Sequence, residues 1–240
     1  EGLTGKGTQT ASPKFDFKTP VFKTSNVVDL TPVSELNKEH PARDYLERRK
    51  IEELKLFYYC PKFKDWTNRQ KKTFDTLRQD SARIIIPLRD KDGTMFGFQG
   101  RSLAPKAKIR YITIMLDDSM PKVYGLDRVD PTKEVYVTEG PFDSHFIVNA
   151  IAMCGSDVNL SSYDYRFVYT YDNEPRSRQI VDKIASTIRC GHKVVIFPKS
   201  IKEKDLNDMA LAGHNVQSLV ESNTYSGLEA QLKLNEWKRV

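Results

Sequence analysis

Three apolar runs, each followed by carboxylates, constrain this chain more than any other feature. The first is Val135-Tyr136-Val137-Thr138-Glu139, which turns on Gly140-Pro141 and continues through Phe142-Asp143-Ser144. The second, Phe167-Val168-Tyr169-Thr170-Tyr171, ends in Asp172-Asn173-Glu174. The third, Val194-Val195-Ile196-Phe197-Pro198, is followed by Lys204-Asp205-Leu206-Asn207-Asp208. Helical patterns separate the runs: one is expected at about 142–152, with Phe146, Ile147, Ala150 and Ile151 on one face. Another starts after Pro175 and carries an apolar stripe of Ile180, Val181, Ile184, Ala185 and Ile188, with Gly191 at its end. Strands alternating with helices imply a mostly parallel sheet covered on its faces. In such a sheet the strand ends share one edge, where open α/β sheets bind ligands.

One acid near a helix start is ordinarily a cap or a partner of the helix dipole. Asp143 is the most open to that reading. Three acidic tips in register are different. Glu139, Asp143, Asp172, Glu174, Asp205 and Asp208 would gather hard oxygen ligands at one edge, suited to Mg²⁺ or Mn²⁺. Two such ions, about 3.5–4 Å apart, stabilise the attacking and leaving oxygens in phosphoryl transfer.

Before this half lies a basic one. Residues 43–128 hold 20 basic and 12 acidic side chains, whereas residues 129–240 hold 13 and 15. One part therefore suits a polyanion and the other divalent cations. Arg83-Ile84-Ile85-Ile86-Pro87-Leu88-Arg89 reads as a strand, Asp90-Lys91-Asp92-Gly93 as a turn, and Thr94 to Gly100 as the returning strand. Tyr111-Ile112-Thr113 is a third strand. Pro41 sits at the first turn of a helix running to Ile51, and a short helix is expected over Glu52–Phe57. The aromatics and lysines of Tyr58 to Trp66 suit either base stacking or a core, and residues 66–81 read as a polar excursion. Residues 1–33 read as a linker or extended arm, and 216–240 as an amphipathic helical tail in two pieces.

Hydrophobic residues make up 39% and charged residues 29%, as in a globular protein with a polar surface. No apolar run is long enough to span a bilayer, which points to the cytoplasm and away from a membrane. Cys60, Cys154 and Cys190 lack metal-ligand spacing and read as inert buried thiols in a reducing compartment. The chain opens on Glu1 rather than Met, so a longer parent is expected.

Glu139-Gly140-Pro141-Phe142-Asp143, Asp172-Asn173-Glu174 and Lys204-Asp205-Leu206-Asn207-Asp208 resemble the three acidic motifs of a TOPRIM domain. Residues 83–101, with Ile-Pro-Leu-Arg-Asp-x-x-Gly and Phe-Gln-Gly-Arg, resemble the basic subdomain before TOPRIM in DnaG-type primases. Arg110-Tyr111-Ile112 and Val123-Tyr124-Gly125-Leu126 continue that match in order. Within the family the likeness is strongest to the primases of T-even bacteriophages, from about Ser34 onward. Glu174 departs from the Asp of many relatives. The family's zinc-binding module does not lie in this stretch, so Zn²⁺ is expected only in an N-terminal domain outside it.

The resemblance implies an α/β chain in four parts: the arm at 1–33, a basic α+β subdomain at 34–128, a TOPRIM domain at 129–215 and the tail. It implies an RNA polymerase core that makes RNA primers on a single-stranded DNA template from ribonucleoside triphosphates. Glu139, Asp172 and Glu174 would be catalytic, and the six acids would hold two or more Mg²⁺ or Mn²⁺ ions. Arg83, Arg89, Arg101, Arg110 and Lys122 would grip template or triphosphate. A hexameric replicative helicase and a single-strand-binding protein are the further partners it implies. A metal-dependent TOPRIM nuclease and a non-catalytic single-strand-binding or helicase-docking module are the rival readings.

Overall fold

A computed structural model describes residues 29–240, except 156 and 157. Most of the expected arm, residues 1–28, lies outside the described residues. Two sheets carry the architecture. The first is antiparallel and keeps chain order: β1 (Thr31–Pro32), β2 (Tyr58–Cys60), β3 (Arg83–Arg89), β4 (Met95–Ser102) and β5 (Tyr111–Met115). The second contains β6 (Val123–Tyr124), β7 (Glu134–Thr138), β8 (Ala150–Met153), β9 (Arg166–Thr170), β10 (Lys193–Val195) and β11 (Thr224–Tyr225). Its order is β11-β10-β9-β7-β8-β6, with parallel pairing across β10, β9, β7 and β8 and antiparallel strands at both edges.

The run Ile84-Ile85-Ile86 is apolar without alternation because β3 is buried on both faces. Ile84, Ile86 and Leu88 share a core with Val123, Val135, Val137 and Ile151 of the second sheet. Ile85 faces the other way, onto Phe63, Trp66 and Phe98. One core therefore joins the two sheets.

Helix α1 (Pro41–Arg48) starts on the expected proline, and His40 caps it by accepting from the Ala42 amide. Helix α2 (Phe63–Gln70) occupies part of what the composition suggested was an irregular excursion. Its buried positions are Phe63, Trp66 and Thr67, spaced i, i+3, i+4, so a short amphipathic turn was hidden among charges. Phe63 and Trp66 fill the core and are removed from base stacking. The short helix expected over Glu52–Phe57 is a single 3₁₀ turn, Leu54–Leu56.

The second sheet is covered on both faces. Helix α3 (Arg178–Arg189) lays Ile180, Val181, Ile184 and Ile188 against Tyr171, Val194 and Ile196. Ser177 caps its start, and Gly191, at φ 81°, follows its end. Helices α4 (Leu206–Leu211) and α5 (Val216–Ser222) cover the opposite face around Val168 and Val195. Helix α6 (Gly227–Trp237) packs beside α3 through Ala230, Leu234 and Trp237.

The helix expected at 142–152 is absent. A single 3₁₀ turn, Asp143–Phe146, leads to β8, which pairs in parallel with β7. Asn149 explains the difference. It sits at φ 58°, which no right-handed helix admits, and its side chain bonds the carbonyls of Asp130 and Glu134. Ala150 and Ile151 are buried as strand residues. Among the cysteines, Cys60 and Cys154 are buried, and burial pushes both thiols up to about 12; Cys190, past the end of α3, is exposed instead.

Gly100 lies where β4 passes over α2: a Cβ there would collide with the Phe63 ring and stand 3.0 Å from Arg83 Cδ. Gly100→Ala is expected to destabilise the fold by about 1–3 kcal/mol. Thermal denaturation should show a loss of roughly 2–4 °C per kcal/mol.

Candidate active site

The parallel pairing decides where the acids go. Glu139 follows β7 by one residue and Asp172 follows β9 by two, so both stand at the same sheet edge. The Asp172 amide lies 3.4 Å from Glu139 Oε2. Gly140 then lets the chain fold back: a Cβ on it would be 2.8 Å from Asp143 Oδ2. Asp143 does not cap its own turn. Its carboxylate accepts from the Asn207 amide at 3.2 Å, at the start of α4, which ties the first acidic motif to the third.

Asp205 is the N-cap of α4 and accepts from the Asp208 amide at 2.8 Å. A capping role and a place in the site coexist there. Glu139, Asp143, Asp172 and Asp205 line one cleft of about 420 Å³, shared with Lys183, Gly155 and, from the first sheet, Gln99 and Tyr111. Glu174 and Asp208 stand outside that lining, and Asp208 is exposed.

The electrostatics record the crowding. Burial, then the charges of Asp205 and Asp172, push the Asp143 carboxyl up to about 7. Burial, then Glu139, push Asp172 up to about 6, against the opposing pull of Lys204. Two lysines answer the negative charge. Lys183 Nζ stands 2.5 Å from Glu139 Oε1, and Lys204 Nζ stands 3.5 Å from Asp172 and 3.3 Å from Glu174. As the side chains stand, no group of three or more His, Cys, Asp and Glu among the described residues is set to hold a metal ion. The donor chemistry nevertheless suits one: hard carboxylate oxygens that raise one another's pKa gain most from a divalent cation.

The five basic residues divide. Arg83 is 7% exposed, stacks over Phe63 and donates to the carbonyls of Gly100, Arg110 and Ile109. Its guanidinium is committed to holding β3, β4 and the loop before β5 together, so it is not a free phosphate contact. Arg89 bonds the Gly93 carbonyl inside its own hairpin. Arg101 stands beside the cleft residue Tyr111, outside the lining itself: its guanidinium lies 5.1 Å from both the Tyr45 and Tyr111 rings and donates to Tyr45 Oη at 3.0 Å and to the Ser102 carbonyl at 2.7 Å. Arg110 and Lys122 are exposed, and the Lys122 stem passes over Gly155 of the cleft lining.

Sequence reasoning passed over Lys183, Arg49 and Asn207. Lys183 lies beside the apolar stripe of α3 and reads as a solvated helix face until the fold aims it at Glu139. Asn207 is 2% exposed; its side chain accepts from Arg49 Nη1 and donates to the Arg49 carbonyl, each at 2.7 Å. That pair fastens α1 of the basic half to the third acidic motif. Lys204 was the legible one, since it directly precedes Asp205.

No protein-family model matches the chain. In sequence it is similar to the DNA primase of Enterobacteria phage T4, 29% identical over 246 residues, covering 98% of this chain and 72% of that protein. In fold it is similar to the RNA polymerase domain of Mycobacterium tuberculosis primase DnaG, with a TM-score of 0.60 at 18% identity, covering 80% of this chain and 79% of that one. A DnaG primase catalytic domain bound to single-stranded DNA matches with a TM-score of 0.56 at 18% identity, over 79% of this chain and 73% of that one. The likeness to DnaG-type primases carried by the three acidic motifs is thus borne out, in sequence by the phage enzyme and in fold by the bacterial domains.

Proposed function

We propose that this chain is a DNA primase RNA polymerase core, joining ribonucleoside triphosphates into short RNA primers on a single-stranded DNA template. One observation carries the reading most. Four carboxylates from the three acidic motifs meet in a single cleft, with Lys183 among them and Gln99 and Tyr111 of the antiparallel sheet on its other side. Clustered carboxylates able to take divalent cations, beside a sheet that carries Arg101, suit a reaction between a nucleic-acid strand and a triphosphate.

Glu139, Asp172 and Asp205, with Asp143 behind them, are the residues that would hold Mg²⁺ or Mn²⁺, two or more ions in all. Such ions neutralise charge on the transferring phosphoryl group. Glu174 and Asp208, outside the cleft lining, serve in this reading as outer members of the acidic set. Lys183 holds the Glu139 carboxylate in place, and Lys204 does the same for Asp172 and Glu174. Arg101, braced by two tyrosine rings beside the cleft, supplies in this reading a fixed positive charge for phosphate. Arg110 and Lys122 add exposed positive charge along the approach. A hexameric replicative helicase and a single-strand-binding protein belong to the same proposal and rest on the likeness alone, as does a cytoplasmic site. No helix among the described residues is long and apolar enough to cross a membrane.

Incubated with single-stranded DNA, ribonucleotides and Mg²⁺, the chain should place label in short RNA. Shortened DNA in its place would identify a nuclease. Glu139→Gln should slow synthesis by roughly 10²–10⁴-fold and leave DNA binding within twofold; an unchanged rate would remove Glu139 from the chemistry.

The basic residues should separate by salt dependence. Arg110→Ala and Lys122→Ala are each expected to lower the slope of log affinity against log salt by about 0.7 for every phosphate no longer neutralised. Arg83→Ala should leave that slope unchanged and cost about 1–3 kcal/mol of stability, because it strands buried carbonyls. Binding titrations at several salt concentrations, beside urea denaturation, measure both.

A further inference from the structure

The three acidic tips are not positioned alike. Glu139 and Asp172 follow their strands directly, and the strands hold them. Asp205 comes ten residues after β10 ends at Val195. A connection of that length would leave the third acid free to wander relative to the other two unless something fastened it, because ordering each loop residue has an entropic cost.

Asn173, between Asp172 and Glu174, makes that attachment. Its backbone N–H donates to the Lys204 carbonyl at 2.6 Å. Its Nδ2 donates to the carbonyls of Ile201 at 3.2 Å and Glu203 at 3.0 Å. Its Oδ1 accepts from the Trp237 indole N–H at 3.0 Å. Both polar atoms of the side chain are used, and three of the residue's four bonds fasten the segment that delivers Asp205. The fourth reaches the last turn of α6, where Trp237 is 6% exposed among the side chains packed on α3. The Arg239 N–H adds a second tie to this region by donating to the Pro175 carbonyl at 2.8 Å.

We propose that Asn173 is a positioning residue that sets the third acidic motif against the second, and that the C-terminal helix completes the device through Trp237. The inference deepens the primase reading and rests on it for the meaning of the acids. In it, Asn173 touches no substrate. It acts through Asp205, whose place beside Asp172 it fixes. The C-terminal helix is then part of the active-site scaffold, although its residues stay outside the cleft lining.

The test uses Asn173→Ala and Trp237→Phe in the whole chain, with Mn²⁺ alone as the probe. Calorimetry should show Mn²⁺ binding weakened about 10- to 100-fold in Asn173→Ala, the usual effect of removing a group that orients metal ligands. Trp237→Phe keeps an aromatic ring and removes one donor, so about a 3- to 10-fold loss is expected. Amide hydrogen exchange at residues 201–205 should quicken in both, and primer synthesis should lose kcat with KM for ribonucleotide within twofold. Unchanged Mn²⁺ affinity and unchanged exchange in both variants would overturn the proposal. So would a loss of rate that only tracks a lower folded fraction. Should Asn173→Ala not fold, Trp237→Phe decides alone. Mn²⁺ binding that responds to Asn173 in a chain making no primer would sink the primase reading and leave the positioning role standing.

Discussion

Carboxylates gathered at one sheet edge repel one another, and much of the surrounding structure answers that repulsion. Burial raises the difficulty, since charges out of water interact more strongly. The fold meets it with fixed partners. Lys183 and Lys204 bring positive charge from two different elements, the start of α4 offers Asp143 a backbone amide, and Asn173 holds the third motif without adding charge. Asp143 and Asp172 still carry raised pKa values, through burial first and the neighbouring carboxylates second, so the repulsion is only partly offset. A site left with excess negative charge is prepared for cations.

The two sheets share one core, and that sharing makes the cleft. Alternate residues of β3 pack against β6, β7 and β8, so the basic sheet cannot drift from the acidic one. At the surface the same junction is polar. Arg49 and Asn207 exchange two hydrogen bonds between α1 and the start of α4, and Arg49 also lies 5.0 Å from the Tyr45 ring that braces Arg101. The first sheet and the acidic motifs are thus linked through a short chain of named contacts, and their separation is set by packed side chains.

The parts of the site that could be read in the chain were those where local rules and tertiary structure agree. Val135 to Thr138 is strand wherever it is placed, because a short β-branched run bounded by Gly-Pro has little alternative. The stripe of α3 and the glycine after it were equally direct. Asn149 shows where reading fails: the apolar spacing around it fits a helix, but its left-handed backbone and three-way bonding to Asp130 and Glu134 make a strand of Ala150–Met153. Arg83 fails in another way. Its type and neighbours suggest phosphate, and only burial reveals that carbonyl groups already use its guanidinium.

By itself, the sequence determined the strands of the parallel sheet, the helix after the second acidic motif and the placing of Glu139 and Asp172 at strand ends, because these arise from periodicity and turn chemistry within short windows. Tertiary structure alone decided which acids share a cleft, which bases reach it, and which residues hold them apart. Lys183 meets Glu139 across 44 positions, Trp237 meets Asn173 across 64, and Arg49 meets Asn207 across 158. No local window contains both members of such pairs, and a single side chain shows its partner only once packing has chosen it.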